Sequence, residues 1–338
     1  MSRLNIGLLG AGGQLGRTLI DDWENYSTPD RIWTLAGARA SIPKVSETVT
    51  ADLPQSRTAE DRHQQVCLYA FSRQQLDICS PQQLEDRLRP LDLQVIVNAA
   101  AYTQVDKAES EPEQAMHING EGPARVAEFA ARNGCRLIHL STDFVFDGES
   151  SRAYRPDHPT SPCNHYGRTK LAGELAIADT CPDRAVIIRT SWLYSRYQPN
   201  FVTTMLRLMT ERERLGIVSD QVGTPTSTHS LADLVARVIA NKTASGVFHW
   251  SDAGVASWYD FAVAIQEEGL QSGLLKAAIP VDPITSSDYP TAAVRPAFSV
   301  LDKSASYQRF GAPPVHWRRE LQRVVTELAQ PGRWQVSL

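Results

Sequence analysis

The stretch "LNIGLLGAGGQLGRTLI", residues 4–20, decides how the rest of the chain is read. A mostly apolar strand, Leu4–Leu9, runs into the glycine turn "GAGGQLG", and a helical pattern starts near Gln14 and continues to about Trp23. Glycines at such a turn let backbone N–H groups and a helix N-terminus approach a pyrophosphate, where the helix dipole favours negative charge. The spacing is G-x-x-G-x-x-G from Gly10, Gly13 and Gly16, slightly off G-x-G-x-x-G, so its place after the first strand carries more weight than the pattern alone.

Outward from this turn, apolar strands alternate with helices. Two stretches compete for the second strand: "IWTLAGARA" (32–40) and "VCLYAFS" (66–72), with a polar, irregular stretch between them. Then come a helix near 81–89, the strand "LQVIVNAAA" (93–101) and a helix from about Pro112 to Asn133. The strand "CRLIHLS" (135–141), the helix "YGRTKLAGELAIAD" (166–179) and the strand "AVIIRTSWLY" (185–194) follow. Strands apolar on both faces and alternating with helices predict an α/β fold, a Rossmann-type doubly wound parallel sheet. The rhythm loosens after residue 195, which predicts a smaller C-terminal substrate lobe. The expected division is 1–195 for dinucleotide binding, with an insertion at about 31–65 and contributions from about 215–250. Residues 196–214 and 251–338 are then mainly the lobe.

The 338 residues carry a net charge of −4 and no basic block, which gives no case for nucleic acid. No run approaches the roughly 18–20 apolar residues of a membrane helix, and the N-terminus lacks a signal-peptide pattern. Five cysteines (67, 79, 135, 163, 181) are odd in number, scattered and without metal-ligand spacing. They read as reduced thiols of a cytoplasmic protein.

Ser141 and Thr142 end the strand in "RLIHLSTDFVFDG" (136–148), and strand C-termini of such a sheet face the ligand crevice. Tyr166 and Lys170, four residues apart on the next helix, share a face. A tyrosine with a pKa near 10 exchanges protons poorly at neutral pH, and a neighbouring ammonium is expected to lower that value. Thr142 and Tyr166 together would polarise a carbonyl, with Tyr166 protonating the alkoxide as hydride arrives. Arg39 ends one second-strand candidate and Arg73 the other, and an arginine there accommodates a 2′-phosphate, so NADPH is expected, with NADH open.

These residues resemble the extended short-chain dehydrogenase/reductases. "VIVNAAAYTQVDKAESEPEQAMHINGEGP", "LSTDFVFDG", "YGRTKLAGE", "IIRTSWLY", "NFVTTMLRLMTERERLGIVSDQVGTPT" and "YPTAAVRPAFSVLD" resemble, within that superfamily, the dTDP-4-dehydrorhamnose reductase family. The likeness covers nearly the whole chain except residues 31–65. It implies reduction of the 4-keto group of dTDP-4-dehydro-L-rhamnose to dTDP-L-rhamnose, with Thr142, Tyr166 and Lys170 catalytic. It implies Gly10, Gly13, Gln14, Leu15, Gly16, Ala99, Ala100 and Ala101 along the cofactor, with Tyr166 and Lys170 at its nicotinamide end; Arg39, Arg73 and Asp77 are further expected cofactor-binding residues. Tyr102, Thr103, Val105, Asp143, Phe144 and Trp192 would lie near the sugar. Asn200, Gln221 and Arg295 would lie around the nucleotide, Arg295 as a bidentate partner of the diphosphate.

The chain departs from the family in places. Phe144 stands where a tyrosine is common, His165 precedes Tyr166 where an apolar residue is usual, and Thr18 stands where some members carry a metal-bridging acid. No metal is expected. A sister dTDP-4-keto-deoxysugar reductase of secondary metabolism stays open, as does a non-catalytic NADP-binding subunit like the methionine adenosyltransferase β subunit. The expected partner is a dTDP-sugar, without nucleic acid or membrane, and a homodimer is left open.

Overall fold

The structure, a computed structural model, describes residues 3–25, 49–52, 65–197 and 199–333. One sheet holds β1 (Arg3–Leu9), β2 (Val49–Asp52), β3 (Gln65–Phe71), β4 (Val95–Asn98), β5 (Arg136–Thr142), β6 (Ala185–Thr190) and β7 (Gly246–His249). Their order is β7-β6-β5-β4-β1-β3-β2. Every neighbouring pair is parallel except β2–β3. The longer helices are α1 (Gln14–Asn25), α2 (Pro81–Leu88), α3 (Gly122–Asn133), α4 (His165–Thr180), α5 (Phe201–Glu211), α6 (Thr228–Ala240), α7 (Trp258–Gln271) and α8 (Trp317–Leu328).

The two-residue period of the strands sorts their side chains onto two buried faces. Ile6, Leu8, Val95 and Val97 pack with Leu15 and Leu19 of α1 and with Leu231 and Val235 of α6. Leu9, Phe71, Ile96 and Leu137 pack with Leu84 of α2, Val126 of α3 and Ile177 of α4. A separate core beyond the sheet joins Met205 and Leu206 of α5, Phe261 and Ile265 of α7, and Leu321 and Val324 of α8.

"VCLYAFS" supplies the strand beside β1, and the competing candidate 32–40 lies outside the described residues, as does most of the insertion. Within 215–250, Gly246–His249 joins the sheet, whereas Leu215–Val218 pairs instead with Val281–Ile284. The helix expected over 112–133 is interrupted: Pro112–Met116 and α3 are joined by a π turn at His117–Glu121. The strand expected over 185–194 stops at Thr190, because Trp192 takes φ 48° before a short strand, Leu193–Tyr194. Between α4 and β6, Arg189 donates three hydrogen bonds to Glu174 at 3.0, 3.1 and 2.7 Å, with side chains only 5% and 4% exposed. Among the described residues no helix is long and apolar enough to cross a membrane.

Candidate active site

The chain leaves β1 toward β3 and returns on the other side of β1 as β4, so the sheet's switch point lies between the C-termini of β1 and β4. The glycine turn sits there. Gly10 has φ 88°, and a Cβ on it would lie 2.6 Å from the backbone of Ala99 and Ala100, so two independent constraints require glycine. Gly10 N and Ala11 N both donate to Phe71 O at 3.0 Å, which ties the turn to β3. Open space surrounds the missing side chain of Gly12, and α1 begins at Gln14, its first-turn amides lacking intrahelical partners. These features fit a dinucleotide pyrophosphate.

Gly10, Gly13, Gln14, Leu15 and Gly16 thus come together with Ala99, Ala100 and Ala101. The side chains of two of them turn elsewhere: Leu15 is buried in the sheet core, and Gln14 Oε1 accepts from Ser195 Oγ at 2.7 Å. Thr18 Oγ1 donates to Thr228 Oγ1 at 2.7 Å. Arg73 is exposed two residues past Phe71, whose carbonyl holds the turn, and Asp77 accepts from Cys79 N at 3.0 Å. Arg39 lies outside the described residues.

Thr142 ends β5 and is 5% exposed. Its Oγ1 accepts from Phe144 N at 3.2 Å and donates to Asp143 Oδ1 at 3.1 Å. Asn164 caps α4, its Oδ1 accepting from Gly167 N at 2.8 Å, and so fixes the turn that presents Tyr166. The Phe144 ring meets the Tyr166 ring edge-on, with centroids 5.6 Å apart. Burial pushes the Asp143 carboxyl up to about 6, against the hydrogen bonds of Ser299 and Thr142.

The expectation that Lys170 lowers the Tyr166 pKa does not hold in this arrangement. Loss of water around it pushes the phenol up to about 12, opposed by the nearby Thr142 hydroxyl and aided by Asp143. The Lys170 Nζ is engaged elsewhere: it donates to Leu140 O at 2.6 Å and lies 3.4 Å from His139 Nε2. Burial pulls the Lys170 amine down to about 8, with Glu174 opposing. His165 is partly exposed, with Nε2 3.9 Å from Glu109 Oε2.

The loop after β4 carries Tyr102, whose hydroxyl donates to Glu111 at 2.7 Å, then exposed Thr103 and half-buried Val105. The expected nucleotide-binding groups are committed to protein partners. Arg295 pairs bidentately with Asp106 at 3.0 and 2.7 Å and holds that carboxyl below the usual range, so the diphosphate expected at Arg295 meets a guanidinium already neutralised. Asn200 caps α5: its Oδ1 accepts from Thr203 N, and its Nδ2 donates to Ser195 O and Tyr197 O. Gln221 accepts from Trp258 Nε1 and donates to Ser286 Oγ. Trp192 stacks on Trp258 with centroids 3.6 Å apart. Its left-handed backbone is uncommon for a bulky residue and marks a constrained position.

The family model described as the RmlD substrate binding domain matches residues 49–330. The dTDP-4-dehydrorhamnose reductase of Salmonella typhimurium is 40% identical over 256 residues, covering 75% of this chain and 85% of that protein. The chain belongs to the dTDP-4-dehydrorhamnose reductase family. It is an oxidoreductase of that family. The crystal structure of a family member from Clostridium acetobutylicum superposes with TM-score 0.80 at 32% identity, over 96% of this chain and 99% of that one. That of the Bacillus anthracis dTDP-4-dehydrorhamnose reductase in complex with NADP gives 0.78 at 29%, over 97% and 100%.

Three residues near the site of this reductase escape a reading of the sequence. Asn119, in the π turn, accepts from Tyr102 N at 2.8 Å and donates to Tyr102 O and to Thr169 Oγ1, clamping the β4 loop onto α4. A break in helical period at a functional site is where π turns concentrate, but "MHINGEGP" carries no local signal for one. Asn98 and His139, both fully buried, stand beneath Lys170.

Proposed function

We propose that the protein reduces the 4-keto group of a dTDP-4-dehydro-6-deoxysugar with NADPH, converting dTDP-4-dehydro-L-rhamnose to dTDP-L-rhamnose. The observation that carries this reading is the placing of Thr142 at the end of β5 and of Tyr166 and Lys170 one turn apart on α4, at the strand ends beside the glycine turn. The relatives' names supply the sugar class, and the NADP of the Bacillus anthracis structure supplies the dinucleotide.

NADPH supplies the hydride when bound. The turn residues Gly10–Gly16 and the first amides of α1 would hold its pyrophosphate, Ala99–Ala101 would admit its close approach, and Arg73 would meet the 2′-phosphate. Thr142 orients the keto oxygen, and Tyr166 hands its proton to that oxygen as the alkoxide forms. The half-buried Tyr166 phenol remains protonated at neutral pH, as an acid must be before it donates. Lys170 lies where a ribose hydroxyl could replace Leu140 O as its partner. Arg295, on this reading, reaches a sugar diphosphate only by exchanging Asp106 for it.

A second reading, a sister dTDP-4-keto-6-deoxysugar, is favoured by Phe144, which packs its ring on Tyr166 without offering a hydroxyl. Product analysis separates the two. Freshly generated dTDP-4-dehydro-L-rhamnose and NADPH are supplied, and the C4 configuration of the product is read by proton NMR. The expected product is dTDP-L-rhamnose. No product, or a faster reduction of a different dTDP-4-keto-6-deoxysugar, overturns the assignment.

A further inference from the structure

Trp192 lies two residues past Thr190, and Thr190 of β6 pairs with Thr142 of β5. Its backbone takes φ 48°, a conformation that a bulky side chain keeps only when its surroundings over-determine it. Backbone and ring are both held here. Trp192 O accepts from Thr226 N at 3.1 Å. A Cβ on Gly223 would lie 2.7 Å from Trp192 Cε2, so glycine at that position leaves room for the indole. Trp258, the first residue of α7, stacks on the indole with centroids 3.6 Å apart and planes 5° from parallel.

Trp258 is itself fixed. Ser257 caps α7, its Oγ accepting from Asp260 N at 3.0 Å, and the Phe201 ring of α5 packs on Trp258 with centroids 4.6 Å apart. The Trp258 indole N–H donates to Gln221 Oε1 at 3.2 Å, and Gln221 Nε2 donates to Ser286 Oγ at 2.9 Å. The one hydroxyl proton of Ser286 goes to Asp220 Oδ1 at 2.7 Å, so Ser286 Oγ accepts from Gln221. Each bond in this chain has one direction, and a flipped Gln221 amide would set N–H against N–H at Trp258.

The two indoles differ in what they have left to offer. The Trp258 N–H is taken by Gln221. Among the described residues the Trp192 N–H has no acceptor, and the residue is half-buried at the strand ends beside Thr142. A deoxysugar matches that remainder, with C–H groups for the ring surface and hydroxyls for the N–H. Gln221, its amide spent on Trp258 and Ser286, acts on a ligand only through the stack.

We infer that Trp258, anchored by Gln221, is a positioning residue: it holds the Trp192 indole at the strand ends beside Thr142, where that indole meets the sugar of the nucleotide substrate. The identity of the sugar rests on the function proposed above, whereas the stack and its anchor stand on geometry alone.

The test uses the full-length protein labelled with fluorotryptophan, its Trp192 and Trp258 signals assigned in fluorine NMR through Trp192→Phe and Trp258→Phe. In the unsubstituted protein dTDP-L-rhamnose should move the Trp192 signal, and dTDP alone should move it far less. A Trp192 signal indifferent to dTDP-L-rhamnose, or moved as far by dTDP, overturns the inference. In kinetics Trp258→Leu should raise KM for the sugar nucleotide about three- to tenfold, the worth of one aromatic pair, with kcat and KM for NADPH within about twofold. Trp258→Phe, which keeps a ring, should recover most of that loss. Gln221→Leu keeps both indoles and removes only the anchor. It should raise the same KM, and it keeps the test open where Trp258→Leu does not fold. An unmoved KM in either folded variant, or a loss confined to kcat, overturns the inference. A Trp192 response to dTDP-L-rhamnose with no reduction of any dTDP-4-keto sugar leaves the positioning standing and sinks the proposed function; turnover with an indifferent Trp192 does the reverse.

Discussion

On the sheet side of the candidate site, Thr142 and Tyr166 present their hydroxyls from rigid elements, the end of β5 and the first turn of α4. On the lobe side, Asn200, Gln221 and Arg295 each bond to other parts of the protein. In the first group the Tyr166 hydroxyl can meet a carbonyl oxygen without breaking the scaffold, and Thr142 gives up only its bond to the neighbouring Asp143. The second gains a ligand only by giving up a partner, and Asn200 would give up a helix cap. The contrast teaches that polar residue type alone does not distinguish a binding group from a structural one. What distinguishes them is whether the surrounding backbone has already claimed the side chain.

The contrast breaks most sharply if the sheet side is not rigid. Arg189→Met leaves Glu174 buried without its counter-ion, and removing one partner of such a pair costs about 3–5 kcal/mol. A large fall in Tm is the expected result; an unchanged Tm would mean that α4 is not anchored through this pair. Next in size is Thr142→Val, which removes the hydroxyl beside Tyr166. It should lower kcat by about 10²–10³-fold, the usual loss of one stabilising donor, with a modest fall in Tm from the lost bonds to Asp143 and Phe144 N. A change confined to KM would move Thr142 to the binding side of the comparison.

A smaller effect comes from Asp143, whose folded pKa, about 6, exceeds its ordinary value. The unfolded chain ionises first as pH rises, so this group's stabilising contribution is complete below about pH 4 and is lost through pH 6. Between pH 5 and 7 the wild type should lose about 1 kcal/mol relative to Asp143→Asn in denaturant unfolding. A flat difference would show that the carboxyl is solvated. Smallest is Asn200→Ala on the lobe side. Loss of the cap should cost about 1 kcal/mol of stability while KM for the sugar nucleotide stays within a few fold. A tenfold rise in KM at unchanged stability would make Asn200 a binding group after all.

What the sequence discloses follows from the range of the interactions. The glycine turn and the Tyr166–Lys170 spacing are local, and both are legible. So is the cap of α5 in hindsight: Asn200 and Thr203 form a capping box, a pattern readable from three residues' spacing. The choice between two second strands is settled by which one pairs with β1, which no local pattern states. The same holds for His139 under Lys170, which depends on the register that sets Asn98 opposite His139. The Asp106–Arg295 pair joins positions 189 apart in the chain. Lys170 is expected from the sequence to lower the Tyr166 pKa through its charge; burial, a property of the assembled fold, raises it instead and pulls Lys170 down.

The central claim, that Tyr166 supplies the proton in a reduction driven by NADPH, is tested most directly by following the NADPH absorbance with dTDP-4-dehydro-L-rhamnose. Wild type and Tyr166→Phe are compared, and NADPH affinity is measured on both. The account predicts turnover by wild type, a loss of about 10²–10⁴-fold in kcat for the variant, and little change in NADPH affinity. Turnover by the variant within a few fold of wild type would contradict it, because the proton would then come from elsewhere.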